Sequence, residues 1–188
     1  LSGAVYLVND IFDVDRDRLH PKKRSRPIAS GALSVPLAWS SAAILSAVAI
    51  GLSLVLEPAC SWVAVGYFSI MMAYSVLLKR LVILDVCAIS CGFVLRAVAG
   101  AVVLQVPISP WLYICTALGA LFIALSKRRS ELEASGDMAG RQRETLQRYT
   151  RSLLDQFIAV VALSTLVAYA LYTFTASNLP GNHTMMLT

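Results

Sequence analysis

Charged residues are scarce in this chain of 188 residues, at 14% of the total against about 25% in soluble domains. Hydrophobic residues make up 57%, and the mean hydropathy is +0.69. This balance excludes an ordinary soluble domain and indicates a protein that lies in a lipid bilayer. No segment alternates apolar and polar residues as the strands of a membrane barrel do. The sequence therefore predicts an all-α membrane protein.

Cysteine and histidine are also scarce, which argues against a soft-metal site and against catalysis by histidine. The four cysteines are Cys60, Cys87, Cys91 and Cys115. They form no CxxC pair, and a soft metal would need further ligands, so we expect small buried side chains. His20 and His183 have no catalytic partner nearby in the sequence.

Long uncharged runs predict the membrane spans. They cover residues 27–56, 58–78, 86–126 and 156–176, with Arg96 as the single charge. Pro107 and Pro110 divide the third run into two helices, and residues 1–8 are typical of the end of a further span. The chain begins without Met, and we expect it to be a fragment of a longer protein. The predicted fold is a polytopic transmembrane helical bundle of six spans, the first partial, in one domain over residues 1–188.

The distribution of charge predicts the topology. Threading the chain through the spans places residues 9–26, 79–85 and 127–155 on one side of the membrane. That side holds every basic residue except Arg96 and every acidic residue except Glu57. The positive-inside rule makes it cytoplasmic. The net charge of +5 therefore orients a multi-pass protein of the cell (inner) membrane and does not indicate nucleic-acid binding. Orientation alone would not gather the acids on this side, whereas a polar catalytic surface would.

A cluster of carboxylates lies where the first segment leaves the membrane. Asp10, Asp13 and Asp17 are spaced by three and four residues, so on a continuous helix they share one face. Basic residues follow at once in the segment 20–27. Mg²⁺ is commonly held by one or two carboxylates together with substrate phosphates. The pattern predicts a site for a magnesium-bound diphosphate; the alternative is a solvated acidic helix end.

Two motifs carry a family resemblance. Asn9, Asp10, Asp13 and Asp17 match NDxxDxxxD, and residues 26–31 read RPIASG. The chain thereby resembles the UbiA superfamily of intramembrane prenyltransferases. The resemblance implies a bundle of about nine spans around a cavity that opens to the cytoplasm, of which this chain covers the middle. It also implies that the three aspartates bind a diphosphate through Mg²⁺ and act in catalysis, with Asn9 orienting the diphosphate.

The second half departs from the aromatic prenyltransferases of that superfamily. Where a second acidic motif is expected, the chain has Lys127, Arg128 and Arg129, followed by Glu131 and Glu133. This replacement suggests a substrate with an additional phosphate. The pattern is similar to the decaprenyl-phosphate phosphoribosyltransferase branch. The similar stretches are residues 20–24, Leu78 and Lys79 with Asp85, residues 92–100, and Lys127 and Arg128 with Glu131 and Leu132.

That branch implies a reaction and its partners. The expected reaction is Mg²⁺-dependent transfer of 5-phosphoribose from phosphoribosyl diphosphate to a polyprenyl phosphate, with release of diphosphate. The oligomeric state stays open. The candidate substrate-binding residues are Lys23, Arg24, Arg26, Lys79, Arg80, Asp85, Arg96, Lys127, Arg128 and Glu131. The alternatives are a prenyltransferase with an aromatic or other acceptor, and a non-enzymatic transporter subunit.

Arg96 is the charge placed deepest in a predicted span. It follows Asp85 by eleven residues, so the two share a helix face about 16 Å apart along the axis. An arginine at such depth usually faces a cavity or a partner. We expect it to receive a lipid phosphate; the alternative is an ion pair with an acid on a neighbouring helix.

Two further features are expected to lie at the membrane surface. Aromatic residues such as Trp39, Trp62 and Tyr67 are predicted to anchor span ends at the interface. Residues 141–151 are predicted to form a short polar helix on the cytoplasmic side.

Overall fold

Seven α-helices account for most of the residues that the structure describes. The computed structural model describes residues 1–21, 23–107, 109–135 and 148–175, and no strand occurs in those ranges. The helices are α1 Ser2–Phe12, α2 Val14–Leu19, α3 Val35–Leu56, α4 Pro58–Val76, α5 Leu84–Leu104, α6 Pro110–Ser135 and α7 Arg151–Thr175. Helices α3 to α7 are long and apolar enough to cross a membrane. The predicted all-α bundle, with five full spans after a short first helix, is confirmed.

Prolines mark three of the helix starts. Pro36, Pro58 and Pro110 lie in the first turns of α3, α4 and α6, where the missing N–H has no helical partner to lose. Helix α3 begins eight residues after the uncharged run does, because residues 27–34 fold as turns in which Gly31 has a φ of +83°. That backbone conformation favours glycine.

Helix α6 extends further than its apolar run. It continues beyond Ser126 through Lys127, Arg128 and Arg129 to Ser135, so this basic cluster lies on the helix. Most of the polar helix predicted at 141–151 lies outside the described residues.

The helices pack against one another in pairs, and a space remains inside the bundle. Helix α5 contacts α4 and α6, α6 contacts α7, and α1 contacts α3 and α4. Small clusters of apolar side chains join them, such as Val5 with Tyr67 and Met71 between α1 and α4. Large apolar side chains on the outside, including Val55 and Trp62, are exposed, as expected where a helix faces lipid. A cavity remains between α1, α4, α5 and α6.

Candidate functional site

The cavity has a volume of about 400 Å³ and is lined by polar residues from five helices and the connecting turns. Twelve of the fourteen residues that the sequence predicts for the site line it, and Arg24 and Asp85 do not. The twelve are Asn9, Asp10, Asp13, Asp17, Lys23, Arg26, Lys79, Arg80, Arg96, Lys127, Arg128 and Glu131. The structure therefore brings the acidic motif together with cations that lie up to about 120 residues further along the chain.

The acidic motif does not lie on one continuous helix. Helix α1 ends at Phe12, and Asp13, with φ −100° and ψ 4°, separates it from α2. Arg26 bridges the break, since its Nη1 lies 2.7 Å from Asp10 Oδ1 and 2.8 Å from Asp17 Oδ2. The arginine of the RPIASG segment thus holds two carboxylates from two helices at one side of the cavity.

Asp10 lies in a setting that disfavours its charge. Partial burial raises the pKa of its carboxyl, and the neighbouring carboxylates of Asp17 and Asp13 raise it further. Arg26 acts in the opposite direction and lowers this pKa.

Lys79 joins the acidic motif to the other half of the site. It lies in the turn between α4 and α5, and its Nζ is 2.7 Å from Asp13 Oδ1. The side chain is only 8% exposed, so the ion pair is shielded from solvent and fixes the position of Asp13.

The donor atoms around this motif suit Mg²⁺. Within the described ranges, no three acidic, histidine or cysteine side chains are close enough to hold a metal ion by themselves. Mg²⁺ does not require such a cluster when substrate phosphates complete its shell. Each of the three aspartates uses one oxygen in the ion pairs described above, which leaves its second oxygen for a cation. Asn9 Oδ1 is buried and has no hydrogen-bond partner among the described residues.

A second charged cluster lies at the α5 and α6 side. Asp85 is fully buried and accepts a hydrogen bond from Arg128 Nε at 3.0 Å. Arg128 Nη1 pairs with Glu131. The Tyr149 hydroxyl donates to Asp85 Oδ1 at 2.9 Å and accepts the Ile83 N–H at 2.7 Å. Asp85 therefore lies behind Arg128 and supports it, rather than facing the cavity.

Most of the positive charge of the basic cluster on α6 is paired with acidic residues and is not available to bind an anion. Arg128 has two acidic partners, and Arg129 is paired with Glu133 and Asp155. Lys127 lines the cavity and forms no ion pair with a described residue. Only part of the phosphate-binding charge expected from this cluster is thus available in the cavity.

Arg96, whose side chain is exposed to the cavity, meets the buried Tyr67 on α4. Arg96 Nη2 donates to the Tyr67 hydroxyl at 3.0 Å. An acidic partner for Arg96, which was the alternative, is not found among residues 1–21, 23–107, 109–135 and 148–175. The expectation that Tyr67 anchors a span end is wrong, since Tyr67 lies midway along α4 and is buried.

Tyr149 and Phe93 were not singled out from the sequence. Tyr149 meets Ile83 and Asp85 across 66 and 64 residues, and Phe93 stacks on Arg96. No local motif marks either contact, because hydrophobic periodicity reports burial and not a distant polar partner.

Comparison with known proteins agrees with this geometry. The sequence profile of the UbiA prenyltransferase family matches residues 1–175. Decaprenyl-phosphate phosphoribosyltransferase from Mycolicibacterium smegmatis is 36% identical over 173 residues, which cover 92% of this chain and 54% of that protein. The enzyme of the same description from Corynebacterium glutamicum is 36% identical over 178 residues, or 94% of this chain and 54% of that protein. The chain thus spans little more than half the length of these relatives.

A solved structure shares the fold. A UbiA homologue from Archaeoglobus fulgidus, bound to GPP and Mg²⁺, superposes with a TM-score of 0.82 at 18% identity, covering 97% of this chain and 65% of that one. This likeness establishes the helical architecture and, at such identity, nothing about substrates. The profile match over residues 1–175 confirms the resemblance seen at Asn9–Asp17 and 26–31: the chain belongs to the UbiA prenyltransferase family.

Proposed function

We propose that this chain carries the active site of a Mg²⁺-dependent polyprenyl-phosphate phosphoribosyltransferase in a multi-pass membrane protein. The observation that carries the proposal is the composition of the cavity wall. One side presents Asp10, Asp13 and Asp17, and other elements contribute cations that form no ion pair with a described residue. These cations are Lys23, Arg80, Arg96 and Lys127. A site that combines both features suits substrates with more than one phosphate group.

The descriptions of the bacterial relatives name the same reaction class. A phosphate oxygen of the lipid forms a bond to C1 of the ribose, and the bond from C1 to the diphosphate oxygen breaks with its electron pair. The attacking phosphate is already anionic at neutral pH, so no strong general base is required. Mg²⁺, when bound, neutralises the departing diphosphate.

The residues of this chain then have distinct roles. The three aspartates hold the cation, and Asn9 orients the diphosphate beside it. Arg26 and Lys79 keep those carboxylates in place through the ion pairs at 2.7–2.8 Å. The cations with no acidic partner bind the remaining phosphates. We place this side of the bundle in the cytoplasm, where the water-soluble donor is found.

The test uses the full-length protein in detergent with Mg²⁺, radiolabelled phosphoribosyl diphosphate and a polyprenyl phosphate. We expect label in the organic phase, and we expect Asp13→Ala to lower the rate by about 100-fold or more, since it removes an electrostatic group from the reacting centre. Asp15→Ala is the matched control, because Asp15 is 90% exposed and pairs with Arg18 at the surface.

Two results would reassign the activity. Protein that makes no labelled lipid but consumes a prenyl diphosphate in the presence of an aromatic acceptor is a prenyltransferase. Protein that is folded and consumes neither donor would support the transporter alternative.

A further inference from the structure

We propose that Arg96, in contact with the rings of Tyr67 and Phe93, forms a binding subsite for a phosphate monoester at the deep end of the cavity, away from the acidic motif. This proposal rests on the proposed function. The reaction alone does not say which cation binds which phosphate, and the proposal assigns a ligand to one of them.

The depth of Arg96 is the first argument. Arg96 is the thirteenth residue of α5, a span of 21 residues, and so lies about 18 Å from the start of that helix. A charged side chain at such depth is costly unless it faces a cavity or a partner. Arg96 lines the cavity, which makes the charge available to a ligand.

The surroundings of Arg96 orient its guanidinium without cancelling its charge. Its Cζ lies 5.3 Å from the ring centroid of Tyr67 and 5.2 Å from that of Phe93, within the range of a cation–π contact. The hydroxyl of Tyr67 accepts an N–H of Arg96 at 3.0 Å and donates to Ser2 Oγ at 3.2 Å. Neutral groups thus hold the side chain in place, and its positive charge stays available.

The other cations that line the cavity differ from Arg96 either in their ion pairs or in their position in the fold. Arg26, Lys79 and Arg128 are each paired with carboxylates. Lys23, Arg80 and Lys127 have no such pair, but Lys23 and Arg80 lie in turns between the helices, and Lys127 follows directly on the uncharged run that ends at Ser126. Among the described residues, Arg96 is therefore the cation that combines membrane depth with an unneutralised charge.

Helix α1 shows how far the surroundings of Arg96 lie from the acidic motif. Tyr67 binds Ser2 at the start of α1, and Asp10 lies eight residues further along the same helix, or about 12 Å. The cavity thus has an acidic, cation-binding end and a distant anion-binding end. A reaction between two phosphorylated substrates needs both, because a second anion has to be kept apart from the carboxylates.

A phosphate monoester fits the deep end by charge and shape. The planar guanidinium can donate two parallel hydrogen bonds to phosphate oxygens. Two substrates of the proposed reaction carry such a group, namely the polyprenyl phosphate at its head and the donor at its ribose 5-position. The chemistry at Arg96 is the same for both, and kinetics can separate them.

The first experiment measures KM for each substrate in the full-length protein with Arg96→Gln. We expect KM to rise by about 10-fold or more for one substrate, as the loss of charge-assisted hydrogen bonds predicts. A rise for the polyprenyl phosphate identifies the lipid as the ligand, and a rise for phosphoribosyl diphosphate identifies the 5-phosphate. Arg151→Gln is the matched control, because Arg151 is exposed at the start of α7 and does not line the cavity.

Two further variants test the geometry. Arg96→Lys keeps the charge but loses the planar fork, so its KM should lie between those of the wild type and Arg96→Gln. Tyr67→Phe keeps the ring and removes the hydroxyl, and it should raise the same KM by a smaller factor, whereas Tyr113→Phe should not. Unchanged KM for both substrates, or an equal rise in both with a lowered melting temperature, would overturn the subsite.

An equilibrium binding measurement tests the subsite independently of the transfer reaction. The wild type should bind polyprenyl phosphate more tightly than polyprenol, or else bind ribose 5-phosphate, and Arg96→Gln should lose that preference. Retained preference in the variant, or binding of neither monoester by the wild type, refutes the subsite. A wild type that shows the Arg96-dependent preference yet transfers no phosphoribose refutes the proposed function alone.

Discussion

Arg128 and Asp85 illustrate, at the scale of single residues, how charge is kept inside the bundle. Both side chains are almost completely buried, and their ion pair is supported by the Tyr149 hydroxyl. A buried pair contributes little net stability because both charges lose their hydration, but removing one partner leaves the other uncompensated. The two residues should therefore be strongly coupled in stability measurements.

We expect Arg128→Met to lower the free energy of unfolding by about 3–5 kcal/mol, because it leaves the buried Asp85 carboxylate without its cation. The double variant Arg128→Met with Asp85→Asn should recover most of this loss, since a neutral amide can still accept the Tyr149 hydrogen bond. Unfolding in mixed detergent micelles measures both values.

Arg129→Met is the control for that experiment. It lies one position along α6, and its acidic partners Glu133 and Asp155 are each 54% exposed, so its loss should be much smaller. Equal destabilisation in the single and double variants of Arg128 would show that the pair is not coupled.

Whether a residue of the site could be predicted from the sequence depends on how close in the sequence its partners lie. The acidic motif could be predicted because its spacing falls within nine residues and carries its chemistry in the residue types. The position of Arg96 was informative because a charge in an apolar span is unusual. The supporting contacts of Asp85 could not be predicted, since Tyr149 is 64 residues away and its approach depends on the packing of α7.

Packing between α4 and α5 determines the shape of the cavity at the scale of elements. Gly92 on α5 lies so close to α4 that an added Cβ would be 2.9 Å from Met71 Cε and 3.6 Å from Tyr67 Cε2. Met71 ends in a flexible side chain that can move, whereas the Tyr67 ring is held by Ser2 and Arg96. A larger side chain at Gly92 would therefore push the helices apart.

We expect Gly92→Val to lower the free energy of unfolding by about 1–3 kcal/mol through overpacking. Gly92→Ala should change it by less than about 1 kcal/mol, because Met71 can yield and alanine favours the helix. Gly100→Val, in the same helix with nothing within 4 Å of its added Cβ, provides the control. If Gly92→Val and Gly100→Val were equally stable, close packing at Gly92 would not matter.

Helix boundaries were predicted with uneven success for a physical reason. Proline marked the starts of α3, α4 and α6, because its missing N–H is tolerated in a first turn. Absence of charge did not mark the start of α3, since residues 27–34 are uncharged but contain Pro27 and Gly31 in turns. Nor did the charges of Lys127 and Arg128 end α6, because lysine and arginine are good helix formers.

At the scale of the whole molecule, the distribution of charged residues predicts how the bundle is oriented in the membrane. The acidic motif, the Lys79 turn and the end of α6 surround one end of the bundle. Glu57, between α3 and α4, and residues 105–107, after the end of α5, lie at the opposite ends of the spans. The excess of basic residues at the cavity end predicts that this end faces the cytoplasm.

We predict that the cavity end faces the cytoplasm, and single cysteines in a background with Cys60, Cys87, Cys91 and Cys115 replaced by alanine can test this. Val106→Cys, at an exposed position beyond the end of α5, should react with a membrane-impermeant maleimide in intact cells. Ser130→Cys, exposed beside the basic cluster of α6, should react only after permeabilisation. The reverse pattern would place the cavity outside the cytoplasm, away from a water-soluble diphosphate donor, and would contradict both the orientation and the proposed route of that substrate into the site.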